Sequence, residues 1–172
     1  MANRYWIGNT TGDWGNSAFW SATSGGSGGQ SVPTENDDVF IDASSFNTAG
    51  RTIRLNTVCK CRNINFSPDV AGIFLDSRPG GYLEVHGSAV FGANAKLVYA
   101  VIDMCSNAPP TKTFSYAGTD KIPILLERYY PLSLLSNISV SDIRLLGGSI
   151  DFNEYDVTVD RFTITSTTAG FD

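Results

Sequence analysis

The sequence predicts an all-β protein, a β-solenoid of short stacked strands behind an amino-terminal aromatic cap, with a β-sandwich as the alternative. Three observations predict it. The first is composition: Ser (18), Thr (15) and Asn (12) dominate, Gly adds 17, Asp outnumbers Glu 13 to 4, and Lys occurs four times. Residues of strands, turns and caps thus replace the usual surface helix formers, which excludes a helix bundle. The second is a succession of short segments alternating apolar and polar residues, the period of a strand with one buried face. The third is an internal repeat between Arg51–Ile73 and Gly148–Phe171. Ile53 aligns with Ile150, Leu55 with Phe152 and Asn56 with Asn153; after one inserted residue, Cys61 aligns with Val159, Ile64 with Phe162 and Phe66 with Ile164. Units that return with the same alternation are the signature of stacked coils.

Residues 1–36 read as a cap. Trp6, Trp14, Phe19 and Trp20 lie among Gly8, Gly12, Gly15 and the Ser-Gly run 24–29. That much aromatic area within fifteen residues is normally buried, here against a first coil around Val39, Ile41 and Ile53. Residues 37–98 carry the first coils: Val39-Phe40-Ile41, Thr52-Ile53-Arg54-Leu55, Asn63-Ile64-Asn65-Phe66, Gly72-Ile73-Phe74-Leu75 and Tyr82-Leu83-Glu84-Val85, separated by breaks such as Pro68-Asp69 and Pro79-Gly80-Gly81. Residues 99–137 are expected as an insertion. Asn107-Ala108-Pro109-Pro110 is a break, and Pro123 and Pro131 in the apolar run 122–132 argue against a central strand. That run, with Arg128, Tyr129 and Tyr130, is either a side strand on its own solenoid or a subunit contact over 122–135. Residues 138–172 hold the last coils, and Ala169-Gly170-Phe171-Asp172 reads as an end that the chain does not close by itself.

A net charge of −5 argues against nucleic acid as a partner, which needs clustered Lys and Arg. No apolar run approaches the roughly 20 residues of a membrane span, so membrane insertion is not expected. The chain opens without an apolar leader, which leads us to expect synthesis in a cytoplasm rather than export by the general secretory route. Cys59-Lys60-Cys61 places two thiols on one strand face, yet a metal site needs more ligands, and Cys105 and the single His86 are remote in sequence; buried apolar thiols are the simpler reading. A Ser/His/Asp system could run only through His86, which reads as a solvated strand-face residue. No Gly-x-Ser-x-Gly elbow or phosphate-cradling loop occurs. No catalytic, cofactor-binding or metal-ligating residue is therefore expected.

The ordered series Arg4-Tyr5-Trp6-Ile7-Gly8, Gly12-Asp13-Trp14, Phe19-Trp20-Ser21, Val32-Pro33 and Asp37-Asp38-Val39-Phe40-Ile41-Asp42 resembles the start of β-helical repeat proteins of tailed bacteriophages, and more loosely that of bacterial surface passenger domains. Leu145-Leu146-Gly147-Gly148-Ser149-Ile150-Asp151-Phe152-Asn153 and Val157-Thr158-Val159 look like the coil motif of the same group. The resemblance covers roughly 4–97 and 143–171 and rests on aromatic, Gly and Asp punctuation rather than a catalytic signature. It implies a non-enzymatic structural component of a virion, a tail fibre, tailspike or head-fibre-like element that serves attachment and assembly. It further implies a homo-oligomer, trimeric by that resemblance, with other virion structural proteins as partners and host surface polysaccharide as a further one. A capsid decoration protein and a polysaccharide-degrading tailspike enzyme are the alternatives. For the enzyme, Asp76, Glu84, Asp151 and Glu154 would have to supply two carboxyls about 5–10 Å apart. Asp37, Asp38 and Asp42 have the oxygen chemistry of calcium ligands, and turn capping is the simpler role.

Overall fold

The computed structural model describes residues 1–105, 112–128, 130–165 and the backbone of 170–171. The chain winds as a β-solenoid. Its first turn contributes β1 (Asn3–Trp6) and β2 (Gly12–Asp13), followed by a short 3-10 turn at Ser17–Phe19 and β3 (Trp20–Ser21). Three turns of three strands follow: β4 (Asp38–Ile41), β5 (Thr52–Arg54) and β6 (Val58–Cys61); β7 (Ile64–Phe66), β8 (Ile73–Asp76) and β9 (Tyr82–Val85); β10 (Ala89–Phe91), β11 (Ala95–Val98) and β12 (Val101–Cys105). The later turns carry two strands each: β13 (Lys112–Tyr116) with β14 (Ile122–Arg128), β15 (Leu132–Leu134) with β16 (Ile138–Leu145), and β17 (Ser149–Asp151) with β18 (Val157–Ile164), before β19 (Gly170–Phe171). Like strands stack in parallel into sheets of nine, four and six strands. The four-stranded sheet ends at β11, so the cross-section narrows from three sides to two.

Alternation and register together create the core. In the nine-stranded sheet Val39, Ile64, Ala89 and Phe114 lie side by side, each 25 residues after the last. All four are buried, and the next inward rank adds Ile41, Phe66, Phe91 and Tyr116. Ring centroids of Phe66 and Phe91 lie 6.0 Å apart, and those of Phe91 and Phe114 5.7 Å, so the aromatics stack along the axis. Ile53, Leu75 and Leu97 form the matching rank of the four-stranded sheet, 22 residues apart. One tight corner depends on glycine: a Cβ at Gly81 would sit 1.8 Å from the Leu55 carbonyl oxygen. Among the described residues no helix is long and apolar enough to cross a membrane.

The repeat between Arg51–Ile73 and Gly148–Phe171 is not the one the ladders use. Ile53 belongs to the four-stranded sheet, whereas its aligned partner Ile150 belongs to the nine-stranded sheet. Every inward strand shares the same apolar-x-apolar pattern, so an offset of 97 matched strands of different sheets. Residues 99–137 also depart from expectation. They carry β12, β13, β14 and β15 in the same ladders, and continue the solenoid rather than interrupting it. Pro123 lies inside β14, a central strand of the six-stranded sheet. It is tolerated because the β12 ladder begins one residue later, at Ile124 opposite Val101, so on that side the missing N–H falls outside the paired run. Ile122, Leu125, Leu132 and Leu134 are buried in the solenoid interior, so much of the apolar run fills the core, while Leu135 is exposed. Asn107-Ala108-Pro109-Pro110, Tyr129, Ala169 and Asp172 lie outside the described residues.

The two ends differ. At the first turn Trp6, Trp14 and Trp20 are completely buried, in one cluster with Val39, Ile41 and Ile53. Trp20 meets Trp14 at 4.8 Å and Trp6 at 5.2 Å, both edge to face. Its indole N–H donates to the Trp14 carbonyl at 2.7 Å, and that of Trp6 donates to the Gly8 carbonyl. The antiparallel β3 covers the outer edge of β1, leaving a two-residue strand at the rim of the nine-stranded sheet. The aromatic region is therefore a cap that includes a first coil of its own, with most of the Ser-Gly run exposed. At the other end β18 pairs with β16 alone among the described residues. Whereas Ile138, Val140, Ile143 and Leu145 of β16 are buried, Val157, Val159 and Phe162 of β18 are half-buried and Ile164 is 46% exposed. Replacing Trp14 or Trp20 by Ala should cost about 3–5 kcal/mol, the usual range for a buried aromatic. Urea unfolding measures it; unchanged midpoints in both variants would remove the cap's role.

Candidate functional site

The outer face of the six-stranded sheet gathers the polar chemistry of the described chain. Because Cys59, Cys61, Leu83, Val85, Ile102 and Met104 point inward, the residues between them point out. Register then places Lys60, Glu84 and Asp103 in one row across β6, β9 and β12. One position beyond Met104 and Val85 stand Cys105 and His86, and Cys105 is opposite Arg128 of β14. The thiol of Cys105 lies 3.6 Å from His86 Nε2. The Glu84 carboxylate reaches the same ring nitrogen at 3.5 Å through Oε2, and the ligand atoms of all three lie within 4.8 Å of one another. Lys60 Nζ lies 3.2 Å from Glu84 Oε2, and the Tyr82 hydroxyl donates to Oε1 at 3.3 Å. Arg128 Nε pairs with Asp103 at 2.8 Å.

These neighbours set the local electrostatics. Burial pushes the Glu84 carboxyl up, but the hydrogen bond and charge of Lys60, with those of His86, outweigh it and hold the group below the usual glutamate range. Asp103 is more deeply buried, and burial wins there against Arg128, raising its carboxyl above the usual aspartate range. Burial, reinforced by the charges of Asp103 and Glu84, pushes the Cys105 thiol up to about 12. Cys105 is therefore a protonated thiol and not an activated nucleophile.

In the interior, between β13 of the nine-stranded sheet and β14 of the six-stranded sheet, lies an ion pair that the sequence pattern does not announce. Lys112 and Glu127 side chains are both fully buried, and Lys112 Nζ donates to Glu127 Oε1 at 2.6 Å, to the Met104 carbonyl at 2.6 Å and to the Arg128 carbonyl at 2.8 Å. Glu127 Oε2 has no hydrogen-bond partner among the described residues. Burial pushes the Glu127 carboxyl up to about 7 against the pull of Lys112, and pushes Lys112 down.

The residues singled out from sequence are dispersed. Asp76 stands on the four-stranded sheet, paired with Arg78 at 2.8 Å. Asp151 stands on the nine-stranded sheet and accepts from the Asn153 N–H, and Glu154 lies exposed in the turn that follows. Neither joins Glu84; the carboxylate on the rung beside Glu84 is that of Asp103. Cys59 and Cys61 face the core, with burial raising both thiols, Cys59 to about 11. Asp37 accepts from the Ala2 N–H and from Thr34, Asp38 from Arg62 and Asn63, and Asp42 from the Ser44 N–H, so these carboxylates anchor turns and neighbouring coils. His86, expected as a solvated residue, is half-buried against Glu84 and Cys105. The available signal was spacing: His86 and Cys105 are 19 residues apart, as are Leu83 and Ile102 in the same ladder.

No family model, curated protein or solved structure matches the chain.

The buried pair generates a prediction. Lys112→Met strands a buried carboxylate and should destabilise by about 3–5 kcal/mol, whereas the double variant Lys112→Met/Glu127→Leu should regain most of that loss. A carboxyl whose pKa is raised by folding stabilises fully below its unfolded value and loses that contribution as pH rises through the folded one. Wild-type stability should therefore fall relative to that of Glu127→Gln between pH 4.5 and about 7. Parallel urea titrations across that range check both; a constant difference between the two proteins contradicts the assignment.

Proposed function

We propose that this chain is a non-enzymatic structural element of a bacteriophage virion, a rigid solenoid that joins other particle subunits through its last coil. The carrying observation is the asymmetry of the two ends. Trp6, Trp14, Trp20 and β3 close the nine-stranded sheet at one end, whereas at the other β18 pairs with β16 alone among the described residues and carries half-buried apolar side chains. A strand edge over apolar residues is a site for strand addition, which supports a subunit contact there. Between the ends, continuous parallel ladders satisfy the backbone and give a stiff element suited to load. The resemblance of the amino-terminal motifs to phage β-helical proteins supports a particle setting. Homo-oligomer formation draws on the β18 edge, beside residues 122–135, where Ile122, Leu125, Leu132 and Leu134 are buried and Leu135 is exposed.

The attachment role is preferred to polysaccharide cleavage because Asp76, Glu84 and Asp151, of the carboxylates that the sequence singles out, stand on three different sheets. A capsid decoration role uses the same open end and differs in where on the particle the chain is found. An antibody raised against the purified chain should label intact virions at a regular position in electron micrographs. Clean virions with label only on cell debris would contradict the reading. Release of reducing ends from host polysaccharide, abolished by a carboxylate substitution, would replace it with the enzyme.

A further inference from the structure

We propose that Glu84, His86 and Cys105 form a binding site for one divalent transition metal ion, Zn2+ by ligand type, which staples two neighbouring coils. The inference is independent of the virion reading. A carboxylate, an imidazole and a thiolate are the three ligand classes that Zn2+ takes, and bonds of about 2.0–2.3 Å in a tetrahedron place ligand atoms about 3.3–3.6 Å apart. Two of the three separations match, 3.5 Å from His86 Nε2 to Glu84 Oε2 and 3.6 Å from His86 Nε2 to Cys105 Sγ, and all three ligand atoms lie within 4.8 Å of one another.

The direction of approach separates this arrangement from a nucleophilic dyad or triad. In a catalytic triad the carboxylate holds one imidazole nitrogen while the nucleophile uses the other. Here thiol and carboxylate converge on the same nitrogen, Nε2, as ligands around a common centre do. A thiol gives up its proton to coordinate a metal ion. Binding replaces that S–H bond by a metal–sulfur bond and releases one proton to solvent, with no change of oxidation state. The ion enters from the side of Glu84 and His86, whose side chains are 17% and 19% exposed, and water fills the fourth position.

Lys60 is the competing cation. Its ammonium contacts the same Glu84 oxygen that faces His86, on a side chain that is 41% exposed and free to swing into solvent. A metal ion that takes the Glu84 oxygen displaces this ammonium into solvent. The fold supplies the rest: β9 and the residue after it present Glu84 and His86, β12 presents Cys105, and the ladder between them holds the two coils in register.

The test titrates Co2+, then Zn2+, into the full chain, metal-free and kept reduced. One equivalent of Co2+ should give a near-ultraviolet thiolate-to-cobalt charge-transfer band that Zn2+ abolishes, and Zn2+ should raise the melting temperature. Cys105→Ser should remove the band. His86→Ala, at a half-buried position outside the core, should weaken Zn2+ by more than the roughly 10–100-fold that loss of a supporting residue costs. Lys60→Met should tighten binding. Absence of the thiolate band, or Zn2+ affinity unchanged in both Cys105→Ser and His86→Ala, would overturn the proposal.

Discussion

Each coil of this protein has an inward rank of side chains that only the neighbouring coils can bury. That constraint organises everything else. The rank Cys61, Val85, Met104, Glu127, Leu145 runs through five consecutive strands of one sheet, and all five residues are buried. A slip of one residue in any ladder would turn the apolar set outward and bring Lys60, Glu84 and Asp103 into the interior. The alternation therefore both builds the core and sorts the polar chemistry to one outer face. It also makes the ends special, because a terminal coil has a neighbour on one side only. Three tryptophans and a reversed strand meet that need at the beginning.

The fold class was legible because alternation and turn residues are local properties. Val39-Phe40-Ile41 and Tyr82-Leu83-Glu84-Val85 announce buried and exposed faces without any tertiary information. The coil length was not legible. Strands of the nine-stranded sheet first recur every 25 residues, those of the four-stranded sheet every 22, and Leu83 and Ile102 are 19 apart, because turns of different length separate strands of equal phase. A search for one fixed period consequently aligned strands from different sheets. Pro123 misled for a related reason: the cost of a proline depends on which neighbour its missing N–H faces, and that is set by register.

The candidate site shows the same division. Glu84, His86 and Cys105 are ordinary residues when read singly, and their meeting depends on a one-coil interval visible only once the ladder is known. Lys112 and Glu127 were hidden by the opposite effect. Both occupy inward phases of their strands, where a charged residue reads as a break in the apolar pattern rather than as half of a buried pair. Outside, the polar rows can bind; inside, one ion pair specifies how β13 and β14 meet.

Amide hydrogen exchange on the full chain tests the central claim, a solenoid whose interior coils protect one another and whose β18 pairs with β16 alone among the described residues. Amides of β7, β9, β10, β12 and β14 should exchange slowly and together, as one cooperative unit. Those of β18 that point away from β16 should exchange orders of magnitude faster, while β1 and β4 beneath the aromatic cap remain protected. Uniform slow exchange through β18, or fast exchange in β1 with the tryptophans in place, would contradict the account.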